Sequence, residues 1–516
     1  MTRPKFFLTT AIDYPNSRPH IGTAFEKVGA DVQARYRRME GFDVRFLMGN
    51  DENTVKVSKR AAELGQAAQS YCDGMARQFR EVWDALGISY DTFIQTSHER
   101  HRDCARAFIQ KVHDAGHLYK GPYGGWYCEG CEEFKTETQH AENAGLCPNH
   151  KTPLVRREEE CWFFRQSAFA ERLLKHYEEN PDFIQPDTRR NEIIAYVQGG
   201  LRDINISRKG EKWGIPIPFD PDFTIYVWFD ALLTYITGIG YGDDRADFDK
   251  WWPADTHFIG KDITRFHCAL WPAMLWAAGE QAPKRVFGHG WVTVDGSKMG
   301  KALGNVVDPV QIIAKAGQDA YRWYFMRECP FPADGDYSGQ RFEEVYKSEL
   351  QGNLGNMLSR CVTLITKNYA SVLDGTGGKV PESASGLDLA AFVERVRGHV
   401  EACRYSQALM AVVQEFLTPT NQYLEANAPW KLVKTDKEAA KRVLFAATQS
   451  LRIAAVLLKP FIPKAAETIY RSFNFSPAWE EVKYADAAAL PAPAGDLRVT
   501  AALVDDKVAP LFPPLA

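Results

Sequence analysis

The sequence lacks long hydrophobic runs, an excess of charge of one sign and internal repeats. Its apolar stretches fall short of the ~18–20 residues of a membrane-spanning helix, and the opening MTRPKFFLTTAI has too short an apolar run for a secretory signal. Because the formal net charge is −4, binding of nucleic acid by bulk positive charge is excluded, and any such contact needs local basic patches. We therefore expect a cytoplasmic protein with no membrane partner.

The composition is that of a large globular protein. Apolar residues make up 45% and charged residues 25% of the 516 residues, a length that exceeds one core and indicates roughly three or four domains. Ten cysteines in a large chain without a secretory signal do not indicate disulfides. Seven cysteines stand alone in the sequence and are interpreted as core thiols: Cys72, Cys104, Cys161, Cys268, Cys329, Cys361 and Cys403.

The other three cysteines cluster with a histidine. Cys128-x-x-Cys131 is followed, after 15 residues, by Cys147-x-x-His150. Three thiolates and an imidazole in paired short loops are typical of tetrahedral zinc with four protein ligands and no open position. The pattern predicts one structural zinc ion that holds its segment together and performs no chemistry.

Near the N-terminus the hydrophobic pattern alternates between strand and helix. Lys5–Ile12 has the length and composition of a strand, and the segment from Ala24 is apolar at helical spacing. Asp43–Gly49 has the pattern of a second strand, followed by helical patterns over Thr54–Leu64 and Ser70–Leu86. Strands that alternate with helices predict a parallel sheet whose ligand site lies at the carboxyl ends of the strands.

The alternation stops between about Ala115 and Pro221 and resumes with apolar runs from Phe223 to Phe229 and beyond; after Asp308-Pro309 the chain is almost wholly helical. We predict an α/β fold in which a Rossmann-like parallel-sheet domain is interrupted by a zinc-binding connective insertion and followed by an α-helical bundle. The expected limits are 1–114 and 223–307 for the two halves of the sheet domain, 115–222 for the insertion, 308–350 for a linking region and 351–516 for the helical domain.

Two stretches far apart in the sequence suit a polyphosphate ligand. In Tyr14–Thr23 (YPNSRPHIGT), His20 lies at a helix entrance, where unpaired N–H groups and the positive dipole end attract anions. Val294–Asn305 (VDGSKMGKALGN) is a Gly-rich loop that carries Lys298 and Lys301. Loop lysines are usually solvated, but an ammonium in such a loop can also swing onto phosphates as a leaving group departs.

Together these stretches resemble the HIGH and KMSKS elements of class I aminoacyl-tRNA synthetases. The position of the catalytic histidine, His20, and both lysines are kept. Thr23 stands where the family usually has a second histidine, and Gly300 and Ala302 replace both serines of its loop.

Further stretches narrow the resemblance to the methionyl-tRNA synthetase family. They are GNDEN from Gly49, YVWFDALLTYITG from Tyr226 and FIGKDITRFHCALWPAML from Phe258, and the cysteine cluster resembles the single zinc knuckle of one subgroup. GNDEN departs from the commoner GTDEHG at Asn53. The resemblance implies ATP-dependent activation of L-methionine to methionyl-adenylate and its transfer to tRNA(Met).

The resemblance implies a methionine pocket in which Asp51 pairs with the α-ammonium. Tyr14, Trp228 and Tyr235 would surround the thioether, since sulfur packs favourably against aromatic edges. Periodicity alone would favour ordinary core packing for Trp228 and Tyr235. Carried over position by position, the pocket comprises Ala11, Ile12, Tyr14, Asp51, Trp228, Ala231, Leu232, Tyr235, Ile263 and His267.

The resemblance also implies an ATP site, with Mg²⁺ accompanying the nucleotide. The residues expected at ATP are Asn16, His20, Gly22, Thr23, Gly260, Asp262, Val292, Lys298 and Lys301. Arg208 matches a family arginine that faces the reacting centre. The expected catalytic set is His20, Thr23, Lys298, Lys301 and Arg208.

For the helical domain the resemblance implies recognition of the anticodon. Asn356 and Arg360 are four apart, hence on one face of a predicted helix, and match the family's NxxxR element. Trp430 matches its APW element and would stack on an unpaired base. Without the resemblance, the pair would be interpreted as solvated and Trp430 as a helix anchor. The expected partner is tRNA with a CAU anticodon, and we expect a monomer.

The same residues also fit functions other than an active methionyl-tRNA synthetase. Thr23, Gly300 and Ala302 also fit a catalytically weakened tRNA-binding paralogue, and a nucleotidyltransferase can carry a similar turn but would not need the helical half. Among other class I synthetases, the leucine, isoleucine and valine enzymes carry a far larger insertion than residues 115–221 hold. A cysteine enzyme would place its zinc in the catalytic pocket.

Overall fold

The computed structural model describes residues 3–131, 133–300 and 304–515, with the backbone alone at 133, 134 and 157–159. The first part of the chain alternates buried apolar strands with amphipathic helices, as the hydrophobic pattern predicts. Its elements are β1 (Lys5–Thr10), α1 (Ile21–Met39), β2 (Asp43–Asn50), α2 (Val55–Glu63), α3 (Ala68–Ala85), β3 (Thr92–Gln95) and α4 (Glu99–Asp114).

The next part is built mainly from antiparallel strands. A long hairpin dominates it, with β4 and β6 paired from Leu118 opposite Phe164 to Tyr127 opposite Val155, and the cysteine cluster lies at the tip of this hairpin. Its elements are β4 (Leu118–Cys128), β5 (Glu133–Lys135), α5 (Glu137–Glu142), β6 (Val155–Phe164), α6 (Ala170–Glu179), β7 (Ile184–Gln185), α7 (Asp187–Gln198), β8 (Ile204–Asn205), β9 (Ser207–Lys209), β10 (Pro216–Ile217) and β11 (Asp220–Ile225).

The apolar run Phe223–Phe229 does not resume the central sheet. Its strand, β11, pairs with β9 and β10 in a small antiparallel sheet, and a helix begins at Val227. A short apolar run does not reveal which sheet will accept it. The following elements are α8 (Val227–Ala231), α9 (Thr234–Thr237), α10 (Arg245–Trp251), β12 (Thr256–Gly260), α11 (Trp271–Ala277), β13 (Val286–His289) and β14 (Val292–Val294).

Six parallel strands form the central sheet in the order β3-β2-β1-β12-β13-β7. The edge strand β7 comes from within residues 115–222, so the connective segment also contributes to this sheet. The chain runs outward from β1 to β2 and β3 on one side and from β12 to β13 on the other. The carboxyl ends of β1 and β12 therefore flank a switch point, where open α/β sheets bind ligands. The prediction of a Rossmann-like parallel sheet is confirmed.

The rest of the chain is helical apart from short strand pairs. Segments 346–355 and 412–417 are π-helical and join neighbouring helices end to end, and α20 is buried on nearly every side. The elements are α12 (Pro309–Ala316), α13 (Gln318–Glu328), β15 (Gly335–Tyr337), α14 (Gly339–Val345), α15 (Asn356–Tyr369), β16 (Val372–Leu373), α16 (Leu389–Glu401), α17 (Tyr405–Ala411), α18 (Thr418–Asn427), α19 (Pro429–Thr435), α20 (Lys437–Leu458), α21 (Pro463–Arg471), β17 (Leu497–Arg498), β18 (Leu503–Val504) and β19 (Lys507–Val508).

Within the described ranges, none of the helices is both long and apolar enough to span a bilayer.

A buried ion pair joins the sheet domain to the helical half. Arg322 of α13 lies 2.7 Å from Asp31 of α1, and both side chains are fully buried. Arg322 also donates to the carbonyl oxygens of Pro460 and Phe461, at the end of α20. Burial opposes ionisation of Asp31, but Arg35 and Arg322 hold its pKa below the ordinary value. A single guanidinium thus connects three parts of the fold.

We expect Arg322→Leu to lower the stability of the whole chain strongly. It leaves Asp31 buried with one cation fewer, and breaking such a buried pair costs about 3–5 kcal/mol. The urea midpoint of the first unfolding transition is the measurement. Arg60→Ala removes a guanidinium whose partner Glu63 is exposed, and should leave that midpoint unchanged. Equal midpoints for the two variants would contradict the bridging role.

Candidate active site and metal centre

His20 caps the first helix with its own ring. Its Nδ1 accepts hydrogen bonds from the backbone N–H groups of Gly22 at 3.1 Å and Thr23 at 3.3 Å. The expectation of unpaired N–H groups at this helix entrance is therefore wrong for these two residues, because the histidine side chain takes them. A ring nitrogen that accepts two N–H groups carries no proton, so the ring proton is on Nε2, which is then a donor.

A cavity of about 320 Å³ opens at the switch point, beyond the ends of β1, β12 and β13. Seven of the nine residues expected at ATP line it: His20, Gly22, Thr23, Gly260, Asp262, Val292 and Lys298. Asn16 is exposed and is not part of this lining. Lys301 lies outside the described residues. The two motif stretches, far apart in sequence, thus face one cavity.

The described part of the lysine loop is held against this cavity. Lys298 Nζ lies 4.4 Å from the ring centroid of Trp291, a cation–π contact. Asn305 accepts from Gly300 N at 2.9 Å and donates to Lys298 O at 3.2 Å, so its side chain spans the loop. A Cβ at Gly22 would lie 3.0 Å from Met299 Cε, so the loop packs closely against the start of α1.

A second, smaller pocket adjoins the first and shares Ala11 with it. All ten residues expected to bind methionine line this pocket. Its volume is about 20 Å³, close to that of a single water molecule. The ring of Trp228, which lines it, stacks on Phe266 with centroids 4.0 Å apart. A side chain of methionine size enters only when some of these aromatic rings move.

The polar groups of the small pocket are arranged by hydrogen bonds. His267 Nδ1 donates to the carbonyl oxygen of Ile263 at 3.1 Å, and Tyr235 donates its hydroxyl proton to His267 Nε2 at 2.7 Å. Burial lowers the pKa of His267 to about 4, so the ring is neutral at physiological pH. Asp51, at the carboxyl end of β2, is the buried carboxylate of the pocket. The pocket therefore offers one acid, aromatic surface and no buried cation.

Sequence reasoning missed a buried charged cluster beneath the larger cavity. Lys27 Nζ donates to Ala11 O at 2.8 Å, Asp13 Oδ1 at 3.1 Å and Glu26 Oε1 at 2.7 Å, and Glu26 in turn pairs with His289 at 2.9 Å. Burial raises the pKa of Asp13 to about 7, although Lys27 opposes the shift. The sequence carried one signal of this cluster: two adjacent charged residues, Glu26 and Lys27, on the buried face of the predicted first helix.

The GNDEN stretch is tied into the protein by further buried hydrogen bonds. Asn53 donates to Asp230 Oδ2 at 2.8 Å, and Asp230 also contacts His101 Nε2 at 2.6 Å. The Asn53 amide thus anchors the stretch after β2 to the helix that carries Trp228.

Glu52 is a second buried acid of this stretch. Its side chain is fully buried and accepts hydrogen bonds from Ser97 and Gln95. Burial raises the pKa of Glu52 to about 7.

Arg208 lines neither cavity. It lies in β9, donates to Ser207 O at 2.8 Å and lies 4.2 Å from the ring centroid of Tyr226. Tyr226 directly precedes the helix that carries Trp228. Arg208 therefore packs against the residue that precedes this helix, and its catalytic role stays a prediction.

The four predicted metal ligands come together at the tip of the hairpin. Their ligand atoms all lie within 4.8 Å of one another. Cys131 Sγ is 3.4 Å from Cys147 Sγ, and the sulfur atoms lie 3.2–3.9 Å from His150 Nδ1. Tetrahedral zinc needs ligand atoms roughly 3.5–3.8 Å apart, from its usual bond lengths. The four residues form a cluster that can hold a metal ion.

Two of the three residues expected at the anticodon touch each other. The guanidinium of Arg360 lies 5.1 Å from the ring centroid of Trp430 and pairs with Glu425. Asn356 begins α15, one turn before Arg360. All three are half-buried on the helical domain, far along the chain from the sheet. Glu425 was not foreseen, since an exposed glutamate in a helix carries no sequence signal.

This fold and its two motif-bearing stretches define a class I aminoacyl-tRNA synthetase. The family model described as tRNA synthetases class I (M) matches residues 6–154 and 149–362. A second model, the anticodon binding domain of methionyl tRNA ligase, matches residues 374–505. The chain belongs to the methionine–tRNA ligase family, a family of aminoacyl-tRNA ligases.

Known proteins of this family match the chain along nearly its whole length. The methionine–tRNA ligase of Nostoc sp. is 42% identical over 483 residues, covering 91% of this chain and 90% of that protein. The methionine–tRNA ligase of Caldanaerobacter subterraneus is 40% identical over 486 residues, which cover 93% of this chain and 76% of that protein. The structure of Mycobacterium tuberculosis methionyl-tRNA synthetase in complex with methionyl-adenylate matches with a TM-score of 0.88 and 37% identity, covering 96% of this chain and 99% of that one.

Glu52→Gln should remove a pH dependence of stability. Because the folded state raises the Glu52 pKa from 4.5 to about 7, its contribution is complete below pH 4.5 and is lost as the pH rises through about 7. That loss amounts to ~3 kcal/mol at most. Relative to the unmodified protein, the variant should therefore gain stability between pH 5 and pH 8 in urea titrations. Glu81→Gln, on the exposed side of α3, is the control, and equal pH profiles for all three proteins would contradict the assignment.

Proposed function

We propose that this chain is an active methionine–tRNA ligase that forms methionyl-adenylate in the two adjoining cavities and transfers methionine to a tRNA with a CAU anticodon. The observation that carries the proposal is the shared Ala11, at which the pocket lined by Asp51 meets the cavity lined by His20 and Lys298. An amino acid and a nucleotide bound side by side there would have the carboxylate and the α-phosphate adjacent. In-line attack then releases pyrophosphate, and positioning supplies much of the catalysis.

The small pocket suits methionine in both charge and polarity. Asp51 provides the buried carboxylate that an α-ammonium needs. The neutral ring of His267 and the hydroxyl of Tyr235 satisfy each other, so an uncharged thioether meets no unpaired ion. Trp228 and Tyr235 supply aromatic surface. We expect the Trp228–Phe266 stack to open when methionine enters.

The larger cavity supplies groups for the phosphates and the ribose. His20 Nε2 and the Thr23 hydroxyl are donors at its helix side, and Lys298 is the described cation of the opposite loop. Lys301 is expected to join them from the same loop. Mg²⁺ would accompany ATP. We expect Asp262, at the end of β12, near the ribose. Arg208 would act through Tyr226 rather than on the phosphates.

We propose zinc in the cluster of Cys128, Cys131, Cys147 and His150. Three thiolates, one imidazole and the spacing of their ligand atoms fit a closed tetrahedral site. A Cβ at Gly130 would lie 2.8 Å from the His150 ring, so the loop backbone is already drawn close to its ligand. Bound there, the ion would cross-link the two short loops and contribute folding free energy.

For the anticodon, we propose stacking of a base on Trp430 and hydrogen bonds from Arg360 and Asn356 to base edges. The contact between Arg360 and Trp430 supports one joint site. A catalytically weakened paralogue would keep this site and lose the chemistry. The expected monomeric state and cytoplasmic location stay predictions.

Two variants should separate amino acid activation from tRNA recognition. Asp51→Asn leaves an ammonium buried without its carboxylate, a cost on the order of 3–5 kcal/mol, so the KM for methionine in ATP–pyrophosphate exchange should rise at least about 100-fold. Trp430→Ala should leave exchange intact and slow aminoacylation of CAU tRNA, since stacking on one base contributes roughly 1–3 kcal/mol. Absence of exchange by the unmodified protein would favour the non-catalytic paralogue, and an unchanged methionine KM would remove Asp51 from the site.

Elemental analysis of protein purified without chelator should find about one zinc per chain. Cys131→Ser should lose the metal and raise hydrogen exchange in residues 118–164, because a structural ion contributes folding energy directly. Cys104→Ala changes a lone buried cysteine and should keep both the metal and the protection. Full protection without metal would rule out a structural role.

A further inference from the structure

A chain of buried hydrogen bonds passes behind the small pocket without lining it. Asn53 donates to Asp230 Oδ2 at 2.8 Å, and His101 Nε2 donates to Asp230 Oδ1 at 2.6 Å. The other ring nitrogen of His101 lies 2.9 Å from Thr237 Oγ1. Each of these four residues is at most 6% exposed, and none of them lines the small pocket or the larger cavity. They are therefore placed to position other residues rather than to touch a ligand.

His101 joins the two short helices that form one side of the small pocket. α8 has five residues and α9 has four. Helices of this length are unstable by themselves and depend on contacts with the rest of the protein. His101 of α4 reaches α8 through Asp230 and α9 through Thr237. One imidazole ring thus fixes both helices against α4.

The two ends of the small pocket are held by different parts of the fold. The pocket residues on α8 and α9 are Trp228, Ala231 and Tyr235. Asp51 belongs to the sheet side, where its N–H donates to Asp13 O at 2.9 Å. Asn53 follows Asp51 by two residues, so its bond to Asp230 joins the sheet side of the pocket to α8.

We propose that His101 is a positioning residue for amino acid selection. Through its two ring nitrogens it sets the distance between the ammonium site at Asp51 and the wall formed by α8 and α9. The inference rests on the proposed function, in which this pocket holds methionine. Because the pocket has only about 20 Å³ of free space, a small movement of the wall changes which side chains fit.

A buried histidine can also be an ordinary core residue, but its surroundings favour positioning. α4 already has a core-facing side without it, formed by Ala105, Phe108 and Ile109. Burying polar groups costs free energy unless they are hydrogen-bonded, and here both oxygens of Asp230 and both ring nitrogens of His101 have partners. A satisfied polar network specifies one arrangement of its elements. An apolar residue at position 101 would keep the packing and release the two helices.

The test compares the binding of methionine with that of ethionine, whose side chain is longer by one methylene. Apolar pockets distinguish such a pair by about 10–200-fold. Dissociation constants are measured by calorimetry on the full chain, so the test does not require catalysis. His101→Leu should weaken methionine binding and lower the ratio of the two affinities about tenfold, because the longer side chain gains the room that the wall gives up. Affinity for ATP should stay unchanged, since the four residues lie outside the larger cavity.

The ratio separates positioning from a general loss of stability. Unfolding of part of the sample lowers the fraction of competent protein and leaves both dissociation constants as they were. His101→Gln tests rescue, because its amide nitrogen can replace Nε2 as the donor to Asp230, and it should keep most of the discrimination. Thr237→Val should lose part of it by releasing α9 alone. Cys104→Ala, at a buried position in the next turn of α4, is the matched control and should keep the ratio.

Three results would overturn the inference. They are an unchanged ratio in both His101→Leu and Thr237→Val, an equal fall of the ratio in Cys104→Ala, and a His101→Gln variant that discriminates no better than His101→Leu. If His101→Leu does not fold, Thr237→Val and His101→Gln decide between the same outcomes. Methionine binding without ATP–pyrophosphate exchange by the unmodified protein would instead contradict the proposed function, while the ratios still decide the role of His101.

Discussion

Parallel pairing of β1 with β12 is the constraint on which the two adjoining cavities depend. Thr10 lies opposite Phe258, and the next residue, Ala11, donates its N–H to the Phe258 carbonyl at 3.1 Å. Beyond that bond the two chains diverge, one toward His20 and the other toward Asp262. Ala11 therefore lies between the two cavities and lines both. A shift of register by one residue would turn every side chain of β1 to the other face and separate them.

Buried charges hold this divergence in place. Lys27 fixes Ala11 by its carbonyl and also binds Asp13 and Glu26, so one ammonium ties the end of β1 to the first helix. One turn further along the same helix, Asp31 binds Arg322, which also donates to the chain after α20. Each cation is fully buried and has several acceptors, the condition under which a buried charge is tolerated. The site is thereby fixed relative to the helical half.

The sequence predicts the fold and much of the site because the signals are local or carried by family motifs. The strand–helix alternation predicts the parallel sheet, and the ten residues that the resemblance assigns to methionine line one small pocket. Three features escape such reasoning. The N–H groups of Gly22 and Thr23 are taken by a ring whose rotamer the sequence does not encode. The partner sheet of β11 depends on non-local pairing, and the contacts of Lys27 with Asp13 and of Glu26 with His289 join residues up to 263 positions apart.

The nearly closed pocket that we assign to methionine has a calorimetric consequence. With about 20 Å³ of free space, the empty pocket exposes almost none of its apolar lining to water. Most of the hydrophobic surface removed from water on binding is then that of the amino acid itself, and the heat-capacity decrement is small. We expect the favourable enthalpy to come from new dispersion contacts of the sulfur and methylenes, offset by the work of moving the side chains that close the pocket. Apart from the charge pairing proposed at Asp51, we therefore expect affinity for methionine to depend on packing rather than on the release of ordered solvent from the pocket.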